Sequence, residues 1–259
     1  MTQVQTQAST QLSTLKIAWV TGVNQGMGAE IMQQLIAQNI YVVGFDLSIN
    51  NIVKSDRYEA HQCDVRDATQ IATLCQKLLQ TSPPDYFINT AGVLHLDGHD
   101  TLTIEAWQHT FEVNTFAPFY FLKHLSPHFR SKRVGSIVMV SSNSAHAPRI
   151  NMAAYGASKA AFTSFSKTVG LELAEYGVRV NIVSPGSTAT PMLRQLWKDD
   201  SGEQQTIHGN LTQYKVGIPL QKIALTEDIA NAVMFLISDQ ASHITMHDLV
   251  IDGGATLGQ

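Results

Sequence analysis

Short apolar runs alternate along the chain with longer stretches in which apolar residues recur every three to four positions. Runs at 16–22, 41–46, 58–65, 85–92, 135–142, 178–186 and 249–254 predict seven strands. The intervening stretches at 29–38, 67–80, 103–130, 152–176 and 226–238 have helical spacing. This alternation predicts an α/β protein, a single-domain Rossmann-type fold in which a doubly wound parallel sheet of about seven strands carries helices on both faces. Nothing in residues 15–259 resembles a linker, repeat or composition break. The stretch 187–217 has no readable period. Long loops in compact domains commonly serve as lids or binding segments, so a substrate lid is expected there.

Hydrophobic residues make up 44% of the 259, enough to build a large core. Charged residues are 15% and the formal net charge is −4, with no basic patch, which argues against a nucleic-acid partner. No apolar stretch has the length of a membrane span, so no membrane association is expected. Residues 1–14 are rich in Gln, Thr and Ser and are expected to be a disordered extension. Cys63 and Cys75 are the only cysteines and form no CxxC, which suits two free thiols in a reducing cytoplasm. His124 and His128 have helical i,i+4 spacing, but Pro127 lies between them and no further ligand motif surrounds them, so no metal site is expected. His146 reads as a solvated loop histidine. The aromatic cluster Trp107, Phe111, Phe116, Phe119, Tyr120 and Phe121 is not expected to be a stacking surface for nucleic acid, because few basic residues are interleaved.

The first strand runs into Thr21-Gly-Val-Asn-Gln-Gly-Met-Gly28, and a helix follows. Glycines let a backbone turn tightly and approach a pyrophosphate, while a helix N-terminus supplies amides and a favourable dipole. Gly22, Asn24, Gln25, Gly26, Met27 and Gly28 are therefore candidate cofactor contacts. Asp46 ends the second strand, where a carboxylate can accept from ribose hydroxyls and repel a 2′-phosphate. No Arg or Lys stands in the loop or just after Asp46, so NAD is favoured over NADP.

Tyr155 and Lys159 stand four residues apart, on one face of a helix. An ammonium beside a phenol favours the phenolate, so a lowered Tyr155 pKa is expected. With Ser142, the glycine loop, Asp64-Val65, Asn89-Thr-Ala-Gly92, Asn114, Pro185-Gly186 and Thr190, these residues resemble the short-chain dehydrogenase/reductase family across nearly the whole chain. The resemblance implies that Asn114, Ser142, Tyr155 and Lys159 are catalytic. It also implies that Asp64, Val65, Asn89, Ala91, Gly92, Tyr155, Lys159, Pro185, Gly186, Thr188 and Thr190 border NAD. Thr90 departs from the family's NNAG, which puts one hydrogen bond beside the fourth strand in question.

A narrower likeness runs through Ala145-His-Ala-Pro-Arg149, Gly217-Ile-Pro-Leu220 and Asp252-Gly-Gly-Ala-Thr-Leu-Gly258. It implies oxidation of a small anionic cyclic diol by a homotetramer. Tyr155 would take the hydroxyl proton, Ser142 would bond the reacting oxygen, Lys159 would assist Tyr155 and bond the nicotinamide ribose, and Asn114 would hold a water leading from Lys159. The substrate carboxylate needs a cation, for which Arg149 and then Arg194 are the candidates. Two other readings remain: a carbonyl or oxoacyl reductase with the same catalytic residues and a different lid, and a non-catalytic dinucleotide sensor.

Overall fold

The computed structural model describes residues 15–52, 55–197 and 199–258, so the expected extension at 1–14 lies outside the described residues. Seven strands form one sheet: β1 (Ile17–Thr21), β2 (Tyr41–Asp46), β3 (Tyr58–Gln62), β4 (Tyr86–Asn89), β5 (Gly135–Val140), β6 (Val178–Pro185) and β7 (Asp248–Ile251). Their order is β3-β2-β1-β4-β5-β6-β7 and every neighbouring pair is parallel. The chain builds outward from β1 to β3, then crosses back to lay β4 on the other side of β1. That reversal opens a crevice at the carboxyl ends of β1 and β4, the place where such sheets bind ligands.

Side-chain alternation divides the core into two layers. Trp19 of β1 packs below the sheet with Phe45, Phe87, Phe121 and Phe129, whereas Ala18 and Val20 pack above it with Ile31, Leu35, Ile229 and Val233. Helices α2 (Ala68–Thr81), α4 (Ala117–Lys132) and α5 (Ala153–Ala174) cover the first layer, and α1 (Gly26–Ala37) and α8 (Thr226–Ile237) the second. Burial of each large aromatic contributes about 1.5–3 kcal/mol. Cys63 and Cys75 are buried free thiols in the first layer.

Three boundaries differ from the sequence reading. Helix α1 begins at Gly26, because Gly26 and Gly28 open the helix rather than precede it. The stretch 103–130 is not one helix: α3 (Ile104–Phe111) and α4 are joined by a π turn over Glu112–Phe116, where Ala117 N–H reaches back to the Glu112 carbonyl. One extra residue per turn shifts the face presented afterwards, and such insertions concentrate at functional sites. Segment 187–217 holds two short helices, α6 (Pro191–Arg194) and α7 (Gly202–His208), with a single 3₁₀ turn over Leu211–Gln213. They are too short to show a period.

Candidate active site

The loop after β1 is shaped by contacts only glycine allows. Gly22 has φ +75°, and a Cβ there would lie 2.9 Å from Thr90 Oγ1. A Cβ on Gly28 would lie 2.0 Å from the Gly22 carbonyl oxygen, so the first turn of α1 can close on the loop only without a side chain. No side chain caps α1, whose leading amides face the loop. Thr21 Oγ1 donates to Asn89 Oδ1 at 3.1 Å and accepts from the amides of Thr90 and Ala91, tying the ends of β1 and β4 together. The Thr90 hydroxyl donates to the Thr21 carbonyl, so the departure from NNAG supplies its own bond at this seam. Asn89 Nδ2 is buried without a hydrogen-bond partner among the described residues.

Asp46 stands at the rim of this cradle. Its Oδ2 accepts from Asn24 N–H at 2.9 Å and its Oδ1 from Ser48 N–H at 3.1 Å. One backbone donor per oxygen leaves acceptor capacity for hydroxyls. Asp64, beyond β3, is engaged by Arg66, whose Nη2 lies 2.7 Å from Oδ2, and that bond is the main cause of its lowered pKa. Val65 is buried beside it. A glycine cradle, free helix amides and a rim carboxylate are together the donor set that a dinucleotide requires, so the residues present fit that group.

The chemistry residues converge next to the cradle. Ser142 follows β5, is 6% exposed, and lies close enough to the Tyr155 phenol to act on its pKa. Tyr155 lies in the first turn of α5, half-buried, and Lys159 follows one turn later, 4% exposed. Lys159 Nζ donates to the Val140 carbonyl at 3.1 Å and lies 5.9 Å from the Tyr155 ring centre. Asn114 sits in the π turn; its Oδ1 accepts from Val93 N–H at 2.9 Å, and its Nδ2 donates to the Val93 carbonyl and to Ser158 Oγ, each at 3.0 Å. Asn114 Oδ1 and Lys159 Nζ both face Gly92, where a Cβ would lie 3.3 and 3.5 Å from them.

One expectation is corrected here. Burial pushes the Tyr155 phenol above its ordinary value, and the Ser142 hydroxyl only partly offsets it. The cause is desolvation, which also brings Lys159 down to about 8; its ammonium is turned to Val140 rather than to the phenol oxygen. The Asn114 side chain clamps the backbone after β4 to α5 through Val93 and Ser158.

Tyr155 and Arg149 line one cavity of about 410 Å³. Its wall includes Met27 of α1 together with Pro185 at the end of β6 and Gly186, Thr188 and Thr190 just after it, so this segment joins the glycine loop to the cavity. Thr190 Cγ2 would lie 3.4 Å from a Cβ on Gly26. The opposite wall is formed by residues of 192–217. Arg149 is buried enough to lower its pKa and makes no side-chain hydrogen bond or ion pair among the described residues. Arg194 is not brought to the cavity. Met192 and Leu193 line it, and the next residue, about 100° further round the helix, is exposed. His146 is not free in solvent: its Nε2 lies 2.8 Å from Asp248 Oδ2, and Ser184 Oγ donates to the other oxygen at 2.6 Å. Lys215 lines the cavity as well, and a lone lysine in an aperiodic stretch gave no signal in the sequence.

A family model described as enoyl-(acyl carrier protein) reductase matches residues 22–256. The chain belongs to the short-chain dehydrogenase/reductase family. It is 47% identical over 244 residues to 2,3-dihydro-2,3-dihydroxybenzoate dehydrogenase of Escherichia coli (strain K12), covering 94% of this chain and 98% of that protein. It is 44% identical over 252 residues to the enzyme of the same name from Bacillus subtilis (strain 168), covering 94% and 97%. Among solved structures, 4-hydroxyisoleucine dehydrogenase complexed with NADH superposes with a TM-score of 0.87 at 28% identity, covering 94% of this chain and all of that one.

Proposed function

We propose that this protein is an NAD-dependent 2,3-dihydro-2,3-dihydroxybenzoate dehydrogenase that forms 2,3-dihydroxybenzoate for siderophore biosynthesis in the cytoplasm. The observation that carries this reading is the cavity in which Tyr155, the proton acceptor, shares a wall with the unpaired Arg149. The identity to enzymes of that name over nearly the full length supports it.

Bound NAD supplies the hydride acceptor. Gly22, Asn24, Gln25, Gly26, Met27 and Gly28 hold its pyrophosphate, and Asp46 its adenosine ribose. Asp64, Val65, Asn89, Ala91, Gly92, Pro185, Gly186, Thr188 and Thr190 flank its two ends. Ser142 bonds the reacting hydroxyl oxygen and Tyr155 takes the hydroxyl proton. Lys159 stabilises the resulting charge pattern, and Asn114 fixes the segment after β4 against α5 so that Lys159 keeps its place. Loss of one hydride from the ring carbon and one proton from its oxygen leaves a ring ketone. Tautomerisation to the catechol then makes the oxidation favourable. The stretch 187–217 acts as the substrate lid. A homotetramer is supported by the exposed apolar face of Trp107, Phe116 and Phe119 on α3, the π turn and α4, which a further copy of the chain would cover.

Two expected outcomes test this reading. Asp46→Ala should narrow a clear preference for NAD over NADP, measured as the ratio of kcat/KM values; equal use of both cofactors by the unaltered protein would contradict the role of Asp46. Arg149→Ala should raise KM for the carboxylated diol roughly ten- to a hundredfold, the loss of a charge-assisted bond of ~1.5–3 kcal/mol, and leave a neutral cyclic alcohol little changed. Equal losses on both substrates would make Arg149 a structural residue.

A further inference from the structure

Lys215 is the second cation of the cavity that holds Tyr155 and Arg149. Its backbone is held independently of its side chain. Asn210 N–H donates to the Lys215 carbonyl at 2.9 Å, and Lys215 N–H to the Asn210 carbonyl at 3.0 Å. The strap closes where Ile218 N–H donates to the Ile207 carbonyl at 2.7 Å, and where a Cβ on Gly209 would lie 2.4 Å from the Gly217 nitrogen. The side chain is thus presented to the cavity from a fixed base.

Neither cation has an anionic partner among the described residues. Asp252, whose field reaches Arg149, is already engaged: it accepts from Asn143 Nδ2 at 3.1 Å, from the amides of Gly254 and Thr256 at 2.9 Å, and from Thr256 Oγ1 at 2.6 Å. Asp199 also lines the cavity and accepts from Ser201 N–H at 2.9 Å. Burial first, and then the Arg149 charge, push the Lys215 ammonium below its ordinary range. Two half-buried cations facing one cavity repel each other, and an entering anion would relieve both the repulsion and their desolvation.

We propose that Lys215 and Arg149 together grip the substrate carboxylate, Arg149 from the loop after Ser142 and Lys215 from the strap. This inference rests on the reading of the substrate as a carboxylated cyclic diol. It makes Lys215 a specificity-determining residue, and it makes carboxylate binding the event that ties the strap to the loop carrying Ser142.

Binding of 2,3-dihydroxybenzoate and of uncharged catechol to the NAD-saturated protein, measured by calorimetry, tests it. Lys215→Met should weaken 2,3-dihydroxybenzoate by roughly tenfold or more, the scale of one charge-assisted bond. The same variant should leave catechol and NADH affinities within about twofold, the span of about 0.4 kcal/mol that separates no effect from a lost contact. Lys215→Arg should restore most of the loss. Unchanged 2,3-dihydroxybenzoate affinity in Lys215→Met would overturn the inference and leave the enzymatic reading standing. So would equal weakening of both ligands, which marks a structural role, or weaker NADH binding, which assigns the lysine to cofactor phosphate. An unaltered protein that binds the two ligands equally would overturn the carboxylated-substrate reading and this inference with it.

Discussion

Tyr155→Phe should lower kcat by at least about a hundredfold while the dissociation constant for NAD stays near that of the unaltered protein. The ring remains to fill its place beside Lys159, and only the oxygen that takes the proton is removed. A positioned general base contributes about 10²–10⁴ in rate, or roughly 3–5 kcal/mol of barrier. Ser142 would keep its bond to Ser144 N–H, 3.1 Å long, so the loop after β5 has no reason to rearrange. A variant that retained more than about a tenth of the rate would show that another group, or water, accepts the proton.

Lys159→Ala should damage both rate and cofactor binding. A positive charge near a phenol favours the phenolate, so removing the ammonium should lower the phenolate fraction at neutral pH by roughly tenfold. The sign is definite. Burial already pushes Tyr155 upward, and Lys159 is the buried cation beside its ring. Without it the rate must be recovered at higher pH, so the rising limb of the kcat profile should move to the alkaline side. The substitution also removes the bond to the Val140 carbonyl and opens space next to Gly92, which should weaken NAD. A limb that stayed in place, with only a lower plateau, would leave Lys159 a structural role.

The strands, their parallel direction and the glycine loop were legible because each rests on a local rule: apolar runs of strand length, helical spacing between them, and glycines where the backbone must turn. Tyr155 and Lys159 were legible for the same reason, since four residues along a helix is one turn. The π turn at Asn114 was not, because a single extra residue in a helical turn leaves the apolar period nearly intact while redirecting one amide onto Val93. Arg194 and Lys215 exchanged standing through folding alone. One lies a single helical step past the lining residue Leu193, and the other is carried inward by a strap whose closure at Gly209 and Gly217 has no periodic signature. The direction of the Tyr155 shift was missed because the spacing reports the neighbouring charge and not the desolvation, which dominates. His146 was read as solvated because its partner Asp248 is distant in the chain and adjacent only through the pairing of β6 with β7.

The proposed reaction of this cavity is oxidation of a carboxylated cyclic diol with NAD. Purified protein should be offered 2,3-dihydro-2,3-dihydroxybenzoate, a neutral cyclic diol and a 3-oxoacyl thioester, each with the matching nicotinamide, while NAD(P)H absorbance and product are followed. NADH and 2,3-dihydroxybenzoate are expected from the first substrate, with much slower turnover of the second and none of the third. Rapid reduction of the thioester with NADPH, and no catechol from the dihydrodiol, would contradict it.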